Sequence, residues 1–225
     1  MDDNAANLLA YAPQIGEGVA ATVLLALGAV PPAFLVGVVL AVLHLSRLGA
    51  LRGLAQAYTA VFRGVPELLI LFFFYYGIAG ILSVLLGRTI ELPDFWIAVT
   101  ALAAIAGAYT GEVLRGAVLA IPAGQWEAAA SLGLRPFQAW LKVILPQCVR
   151  LALPPLGNVL LVLIKDTALA SAIGAEEIMR KSGIAAGSTR SPFVFFGAAA
   201  ALYLLVTIPI LQWQDRLERQ FDTSR

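Results

Sequence analysis

The chain has 225 residues, of which 60% are hydrophobic and 13% are charged. Soluble domains are closer to half apolar and a quarter charged, so this composition indicates a membrane protein. The formal net charge of +1, without a basic cluster, gives no support for nucleic-acid binding, and a lone Cys148 excludes an internal disulfide and a cysteine cage for a metal.

Five segments are long and apolar enough to cross a bilayer as helices, which takes about 20 residues. Backbone polar groups in lipid must be satisfied within the segment, so each is predicted to be helical. In chain order the segments are 19–43, 68–87, 95–111, 151–175 and 192–214. We therefore predict an all-α membrane protein with five transmembrane helices, divided into an N-terminal segment 1–18, a membrane domain 19–214 and a tail 215–225.

Two features of these segments carry packing predictions. The first segment contains the pair Pro31-Pro32, where we expect a kink, and ends near His44, for which we expect a solvated position at the membrane surface. The third segment is expected to continue past Glu112 and carries Ala103, Gly107 and Gly111 at four-residue spacing. Small residues in this pattern let two helices approach closely, with packing inside the chain favoured over a contact with a second chain.

The distribution of basic residues predicts the orientation, because cytoplasmic connections are richer in Lys and Arg. One side of the predicted membrane domain has only Arg88, Arg180, Lys181 and Arg190. The other side has Arg47, Arg52, Arg63, Arg115, Arg135, Lys142, Arg150, Arg216, Arg219 and Arg225. The second side is predicted to be cytoplasmic, which places the N-terminus on the outer side of the membrane and the C-terminus in the cytoplasm.

The connection between the third and fourth segments, IPAGQWEAAASLGLRPFQAWLKVILPQCVR (121–150), is predicted to contain two short helices. The first, 125–132, ends at Gly133, a residue suited to the left-handed position after a helix. The second begins at Pro136 and is expected to stop near Pro146. Neither helix is long enough to span a membrane. From the pattern alone, the connection is either an amphipathic loop resting on lipid headgroups or a rigid corner offered to a partner.

The order Glu127-Ala128-Ala129, three residues, Gly133, nine residues, and VILP at 143–146 closely resembles the EAA signature of permease subunits of ATP-binding-cassette importers. Val143 stands where the usual signature has Ile, a conservative departure. Further segments resemble the polar-amino-acid branch of these permeases, and the resemblance extends over about residues 58–210. Within that branch the chain is most similar to permeases for histidine, lysine, arginine, ornithine and opines. These segments are FRGVPELLILFFFYYG (62–77), GAYTGEVLRGAVLAIPAGQWEAA (107–129), LPPLGN (153–158) and KDTALAS (165–171).

The resemblance implies the type I ABC importer permease fold, in a multi-pass protein of the bacterial inner membrane. It implies that loop 119–148 is a cytoplasmic coupling loop that docks on an ATPase. The coupling positions carried over are Glu127, Ala128, Ala129, Leu132, Gly133 and Arg135. It also implies four kinds of partner: a second homologous permease, two cytoplasmic ATPase subunits, a periplasmic amino-acid-binding protein and the lipid membrane. The two permeases would form a heteromer. Loops 88–94 and 176–191 would receive the binding protein.

The sequence contains no GxxxxGKS/T loop, GxSxG elbow or HExxH motif, so an enzyme is not expected. No cofactor is expected on this chain, and ATP and Mg²⁺ are assigned to the partner ATPase. The sequence also leaves two alternatives to an ATP-driven permease of basic amino acids or opines. These are a secondary transporter driven by an ion gradient and a scaffold subunit that moves no solute.

Lys165 and Asp166 interrupt the fourth segment, and a charge at mid-bilayer costs roughly 2.5–3.5 kcal/mol on insertion scales. Adjacent helical residues point about 100° apart, so the two cannot satisfy each other. One alternative is a structural salt bridge to another helix, with Glu112 or another subunit as the candidate partner. The other is a solute path in which Asp166 receives an ammonium or guanidinium while Lys165 is paired internally. The candidate residues of this path are Asp166, Lys165, Thr167, Asn158 and Glu112.

Overall fold

A computed structural model of the chain describes residues 2–88 and 92–221. Within these ranges the elements are helices. They are α1 (Asp2–His44), α2 (Gly49–Gly64), α3 (Glu67–Phe72), α4 (Ala79–Leu86), α5 (Asp94–Leu119), α6 (Ala123–Ser131), α7 (Pro136–Ala139), α8 (Leu145–Asp166), α9 (Ile178–Thr189) and α10 (Pro192–Phe221). Two π-helical segments (Phe73–Ile78 and Trp140–Ile144) and one 3₁₀ segment (Thr167–Ile173) join some of them end to end.

Five continuous helical stretches in the described ranges are long and apolar enough to cross a membrane. They are Asn4–His44, Glu67–Leu86, Asp94–Leu119, Pro136–Ile173 and Pro192–Arg219. These confirm the five predicted spans, including the continuation of the third beyond Glu112. Residues 1–18 were predicted as a separate segment, and Asp2 to Gly18 form part of the same helix as the first span. The helix also continues through Pro31 and Pro32.

Helix α5 lies at the centre of the bundle and is buried along most of its length. Its glycines form the contact with α1: a Cβ at Gly107 would lie 2.6 Å from Val36 Cγ1, and one at Gly111 would lie 2.9 Å from Leu40 Cβ. Small residues are needed because these two helices approach so closely. The prediction that the small-residue pattern serves packing inside the chain is confirmed.

The two ends of the bundle are defined by contacts between distant parts of the chain. At one end, His44, the last residue of α1, lies 3.4 Å from Glu112, two turns before the end of α5. At the other end, Lys181 Nζ lies 3.6 Å from Glu17 Oε2. Segment 121–150 belongs to the first end, which we call the corner end. The alternation of spans agrees with the predicted topology, and the side of the membrane that each end faces remains a prediction.

Helices α2 and α9 were not predicted. They are too short to span a bilayer. In α2, Ala55 and Thr59 are buried and the Tyr58 hydroxyl donates to Ala104 O at 3.0 Å, which fixes α2 against α5. Helix α9 packs against α1 and α10 through buried Ala185 and Ala186.

The second helix of the corner does not stop at Pro146, and that prediction is wrong. Helix α7 runs through the π-helical segment Trp140–Ile144 directly into α8. Proline lacks an N–H and its ring clashes with the carbonyl four residues earlier in a regular α-helix. The wider π turn just before Pro146 relieves that clash, so the helix continues. The corner is consequently joined to the fourth span without a break.

Candidate functional site

The corner turns at Gly133 through a hydrogen-bonded motif. Gly133 has φ +74°, its N–H donates to Ala130 O at 2.9 Å, and the Leu134 N–H donates to Ala129 O at 3.2 Å. These two bonds are those of a Schellman motif, in which a left-handed residue follows the helix. Glycine suits this position because a Cβ disfavours positive φ. The predicted role of Gly133 as the turn residue is confirmed.

The start of α7, directly after the turn, also has a defined backbone geometry. The Arg135 N–H donates to Gln138 Oε1 at 3.1 Å, and Pro136 occupies the first helical position, as predicted. Proline is favoured there because its missing N–H would have no helical partner. The path of the backbone from α6 to α7 is therefore determined at both ends of the turn.

Side chains brace the corner against both adjoining spans. The rings of Trp126 and Trp140 stack with centroids 6.1 Å apart, and Gln147 Nε2 donates to Gln125 Oε1 at 3.1 Å. Beneath them, Ile144 packs with Ile121 in a buried cluster that reaches the end of α5. The corner is therefore held by side-chain contacts to the ends of α5 and α8.

The predicted coupling positions divide into a surface set and a buried residue. Ala129 is 2% exposed, so it packs inside the corner and supports α6 from beneath. At the surface lie Glu127, Ala128, Leu132, Gly133 and Arg135, and Leu132 is 79% exposed. Trp126 and Phe137 are also exposed, at 38% and 73%. The exposed surface of the corner therefore combines an apolar patch with Glu127 and Arg135, which suits a protein partner.

Asp166 and Asn158 line a cavity of about 190 Å³ between α5 and α8. The opposite wall is formed by Tyr109 and small or aliphatic residues of α5. Asp166 also interacts electrostatically with Glu67 at the start of α3. Two carboxylates near one apolar cavity favour a cationic ligand.

Lys165 is directed to a different place. It lines a cavity of about 360 Å³ formed with residues of α9 and α10, among them Met179, Phe196 and Tyr203. Among the described residues, neither Lys165 nor Asp166 forms a salt bridge. The prediction that the two neighbours cannot satisfy each other agrees with this geometry, and the candidate salt bridge to Glu112 is absent from the described part of the chain.

Thr167 does not line the Asp166 cavity. Its side chain is fully buried and its hydroxyl donates to Ile164 O at 2.6 Å, within its own helix. Thr167 instead belongs to a buried polar group beside Tyr203. The structure therefore does not bring Thr167 together with Asp166 and Asn158 at this cavity.

That buried polar group is centred on Glu177, which the sequence analysis missed. The Glu177 carboxylate accepts from Met179 N at 2.9 Å, from Arg180 N at 2.8 Å and from the Tyr203 hydroxyl. Burial raises the pKa of the Glu177 carboxyl, while these hydrogen bonds oppose the rise. Glu177 thereby caps α9 and joins it to α10. Glutamate is an uncommon helix cap, so the sequence carries no signal for this role.

Glu112 lies at the corner end, in a separate polar cavity. Its Oε2 is 3.0 Å from Arg115 Nη2, the pair expected from their i, i+3 spacing, and its Oε1 is 3.4 Å from His44 Nε2. The predicted solvated position of His44 is wrong: its side chain is 6% exposed and bonds Thr59 Oγ1 at 3.2 Å. Helix α2, which was not predicted, covers it.

Comparisons with known proteins identify the family of the chain and agree with its fold. A family model described as "Binding-protein-dependent transport system inner membrane component" matches residues 33–223. The nopaline transport system permease protein of Agrobacterium fabrum is 41% identical over 203 residues, 88% of this chain and 86% of that protein. The arginine ABC transporter permease protein of Haemophilus influenzae is 40% identical over 164 residues, 73% of this chain and 74% of that protein.

Solved structures give the same assignment. An amino acid ABC transporter crystallised with histidines matches with a TM-score of 0.84 and 31% identity, covering 95% of this chain and 96% of that one. A methionine ABC transporter in an inward-facing conformation matches with a TM-score of 0.74 and 22% identity, over 92% and 96%, and supports the fold alone. The fold is that of a type I ABC importer permease. The chain belongs to the family of binding-protein-dependent transport system inner membrane components.

Proposed function

We propose that this chain is the permease subunit of an ATP-driven importer that carries basic amino acids or opines across the bacterial inner membrane. The observation that carries the proposal is the corner: a braced, exposed turn continuous with the fourth span. A rigid element of this kind transmits the movement of a docked partner to the membrane helices. A flexible loop would absorb that movement.

The proposal assigns ATP hydrolysis to a separate chain. Two ATPase subunits carry ATP and Mg²⁺ and dock against the exposed corner residues, with Glu127 and Arg135 offering charged contacts. Ala129 contributes by filling the space beneath α6. The corner end then faces the cytoplasm, the side predicted from the excess of basic residues.

Two further partners complete the proposed complex. Five spans enclose only part of a gated path, so a second, homologous permease supplies the remaining wall in a heteromeric pair. A periplasmic binding protein delivers the solute to the end of the bundle opposite the corner. The contact predicted for 176–191 includes α9, and the one predicted for 88–94 falls in part on residues 89–91, outside the described residues.

The preference for a cationic solute rests on the cavity lined by Asp166 and Asn158, with Glu67 nearby. An ammonium or guanidinium would neutralise a carboxylate that has no salt-bridge partner among the described residues. The relatives named for nopaline, octopine and arginine transport support this class of solute.

The test is solute uptake by the complete complex in proteoliposomes. We expect accumulation of radiolabelled arginine, ornithine or an opine that requires ATP inside and the binding protein outside, and that survives dissipation of the proton gradient. Uptake that depends on the proton gradient without ATP would favour the secondary transporter. An intact complex that moves no member of the panel would favour the scaffold.

A further inference from the structure

The corner end of the bundle holds a second cavity, of about 510 Å³, which no step above uses. It is open and lies between α1, α2 and α5. Its polar lining consists of His44, Gln56, Thr59, Arg63, Tyr109 and Glu112. It is larger and more polar than the Asp166 cavity, and both cavities share Tyr109 as a lining residue.

The two charged side chains that line this cavity, Glu112 and Arg63, differ in whether they have an ion-pair partner. Both oxygens of Glu112 are engaged, one by Arg115 and the other by His44. Arg63 differs: within the described ranges its guanidinium forms no salt bridge, and its contact is with the ring of Tyr109, 5.2 Å from the centroid. The cavity therefore offers one uncommitted cation with nearby hydrogen-bonding groups from Gln56 and Thr59. An arginine fork in such a setting binds a carboxylate through paired N–H donors.

Tyr109 connects this cavity to the proposed solute path. Its position on α5 is between Ile105, which lines the Asp166 cavity, and Glu112, which lines the second one. On the side of the second cavity, the Arg63 guanidinium packs over the Tyr109 ring. A solute released from Asp166 toward the corner end therefore meets the Tyr109 ring and then Arg63.

We propose that the second cavity is a second solute site, which binds the α-carboxylate of the transported amino acid through Arg63 after the solute passes Tyr109. The inference rests on the proposed function, since it takes the same solute. The two sites have complementary chemistry: the Asp166 cavity recognises the cationic group, and the Arg63 cavity recognises the carboxylate. Because each site binds only one end of the solute, neither site binds it so tightly that release is prevented.

The test is saturation binding of radiolabelled L-arginine to the complete purified complex, without the binding protein and without ATP. We expect two classes of site. Arg63→Gln should weaken one class at least tenfold, with Arg63→Lys weakening it less, and leave the other unchanged. Asp166→Asn should weaken the other class. L-argininamide, which lacks the carboxylate, should displace the label only from the class that needs Asp166.

Arg52→Gln is the matched control, because Arg52 is an exposed arginine of the same helix that does not line the cavity. It should retain both classes. The proposal is overturned if the wild-type complex shows a single class, if Arg63→Gln retains both, or if L-argininamide displaces all of the label equally. A wild-type complex that imports arginine with ATP but has one class of site contradicts only this inference. A complex that imports no basic amino acid or opine contradicts the proposed function itself.

Discussion

Asp166 is the residue whose environment most directly predicts solute selectivity. Its carboxylate faces a small apolar cavity and has no salt-bridge partner among the described residues. We expect Asp166→Asn to reduce uptake of cationic solutes by about 10- to 100-fold, since a hydrogen bond to a charged group contributes about 1.5–3 kcal/mol. The measurement is the initial rate of radiolabelled arginine uptake in proteoliposomes. If Asp166 were structural, the variant would lose assembled complex and leave the selectivity of the remainder unchanged.

Glu177 gives a prediction about stability rather than transport. Its carboxyl has an ordinary pKa of 4.5 and a raised one when buried in the folded protein. The folded state then holds this proton more tightly than the unfolded state. The contribution of Glu177 to stability is therefore greatest below pH 4.5 and decreases as pH rises through the folded pKa.

Glu177→Gln removes this titration, and its single amide oxygen can still accept from one of the two backbone N–H groups that the carboxylate serves. We expect the unfolding temperature of the variant to rise relative to wild type as pH increases from about 4 to about 7. Thermal unfolding of the detergent-solubilised protein measures the difference. A difference that does not change with pH would contradict the buried-carboxylate account. Glu177→Ala, which leaves three donors without an acceptor, should destabilise the protein by about 1–3 kcal/mol or more.

At the residue scale, the sequence predicted individual charges better than their partners. A charge in an apolar segment is visible without a structure, so Lys165 and Asp166 could be identified. The contacts of His44 depend on α2 folding back over it, and those of Glu177 depend on Tyr203, 26 residues away. Such long-range contacts leave no local pattern, and the burial of Thr167 beside Tyr203 could not be predicted for the same reason.

At the scale of elements, the turn at Gly133 is the feature that a substitution can test most cleanly. A Cβ at Gly133 would meet nothing within 4 Å, so only the backbone conformation opposes a side chain there. A non-glycine residue in the left-handed region costs roughly 1–2 kcal/mol, and more for a β-branched residue. We expect Gly133→Val to leave membrane insertion intact but to uncouple ATP hydrolysis from uptake.

Two variants control this experiment. Gly133→Asn should retain coupling, because asparagine tolerates the left-handed conformation. Gly124→Val makes the same chemical change on α6, at a site that also has open space but no positive φ, and should transport normally. The readout is the ratio of solute imported to ATP hydrolysed by the reconstituted complex. A normal ratio in Gly133→Val would count against the corner as a rigid coupling element.

The sequence predicted the ends of helices correctly where the conformational preference of a single residue determines them. Gly133 and Pro136 ended and began helices as predicted, because φ preference and a missing N–H act locally. Pro146 did not end its helix, since the preceding π-helical turn accommodates it. Helices α2 and α9 escaped prediction because their stability comes from packing on α5, α1 and α10, which a hydropathy pattern does not report.

At the scale of the whole molecule, the number of spans and the family could be read from the sequence, since about 20 apolar residues per span and the EAA pattern are local signals. The braces that connect the corner to α5 and α8 could not, because the contacts of Trp126 with Trp140 and of Gln125 with Gln147 join separate helices. These contacts join the exposed corner to two spans. We propose that the corner docks on an ATP-hydrolysing partner and moves those spans.

Site-directed cross-linking in intact membranes tests that claim most directly. Ala128 is exposed on the corner, so we would introduce Ala128→Cys in a Cys148→Ala background, with Ser188→Cys on α9, at the opposite end of the bundle, as the control. A thiol cross-linker should join the Ala128→Cys chain to an ATP-hydrolysing subunit and should not join the Ser188→Cys chain to it. No adduct from position 128, or labelling of that position by a membrane-impermeant maleimide added outside the cell, would contradict the account.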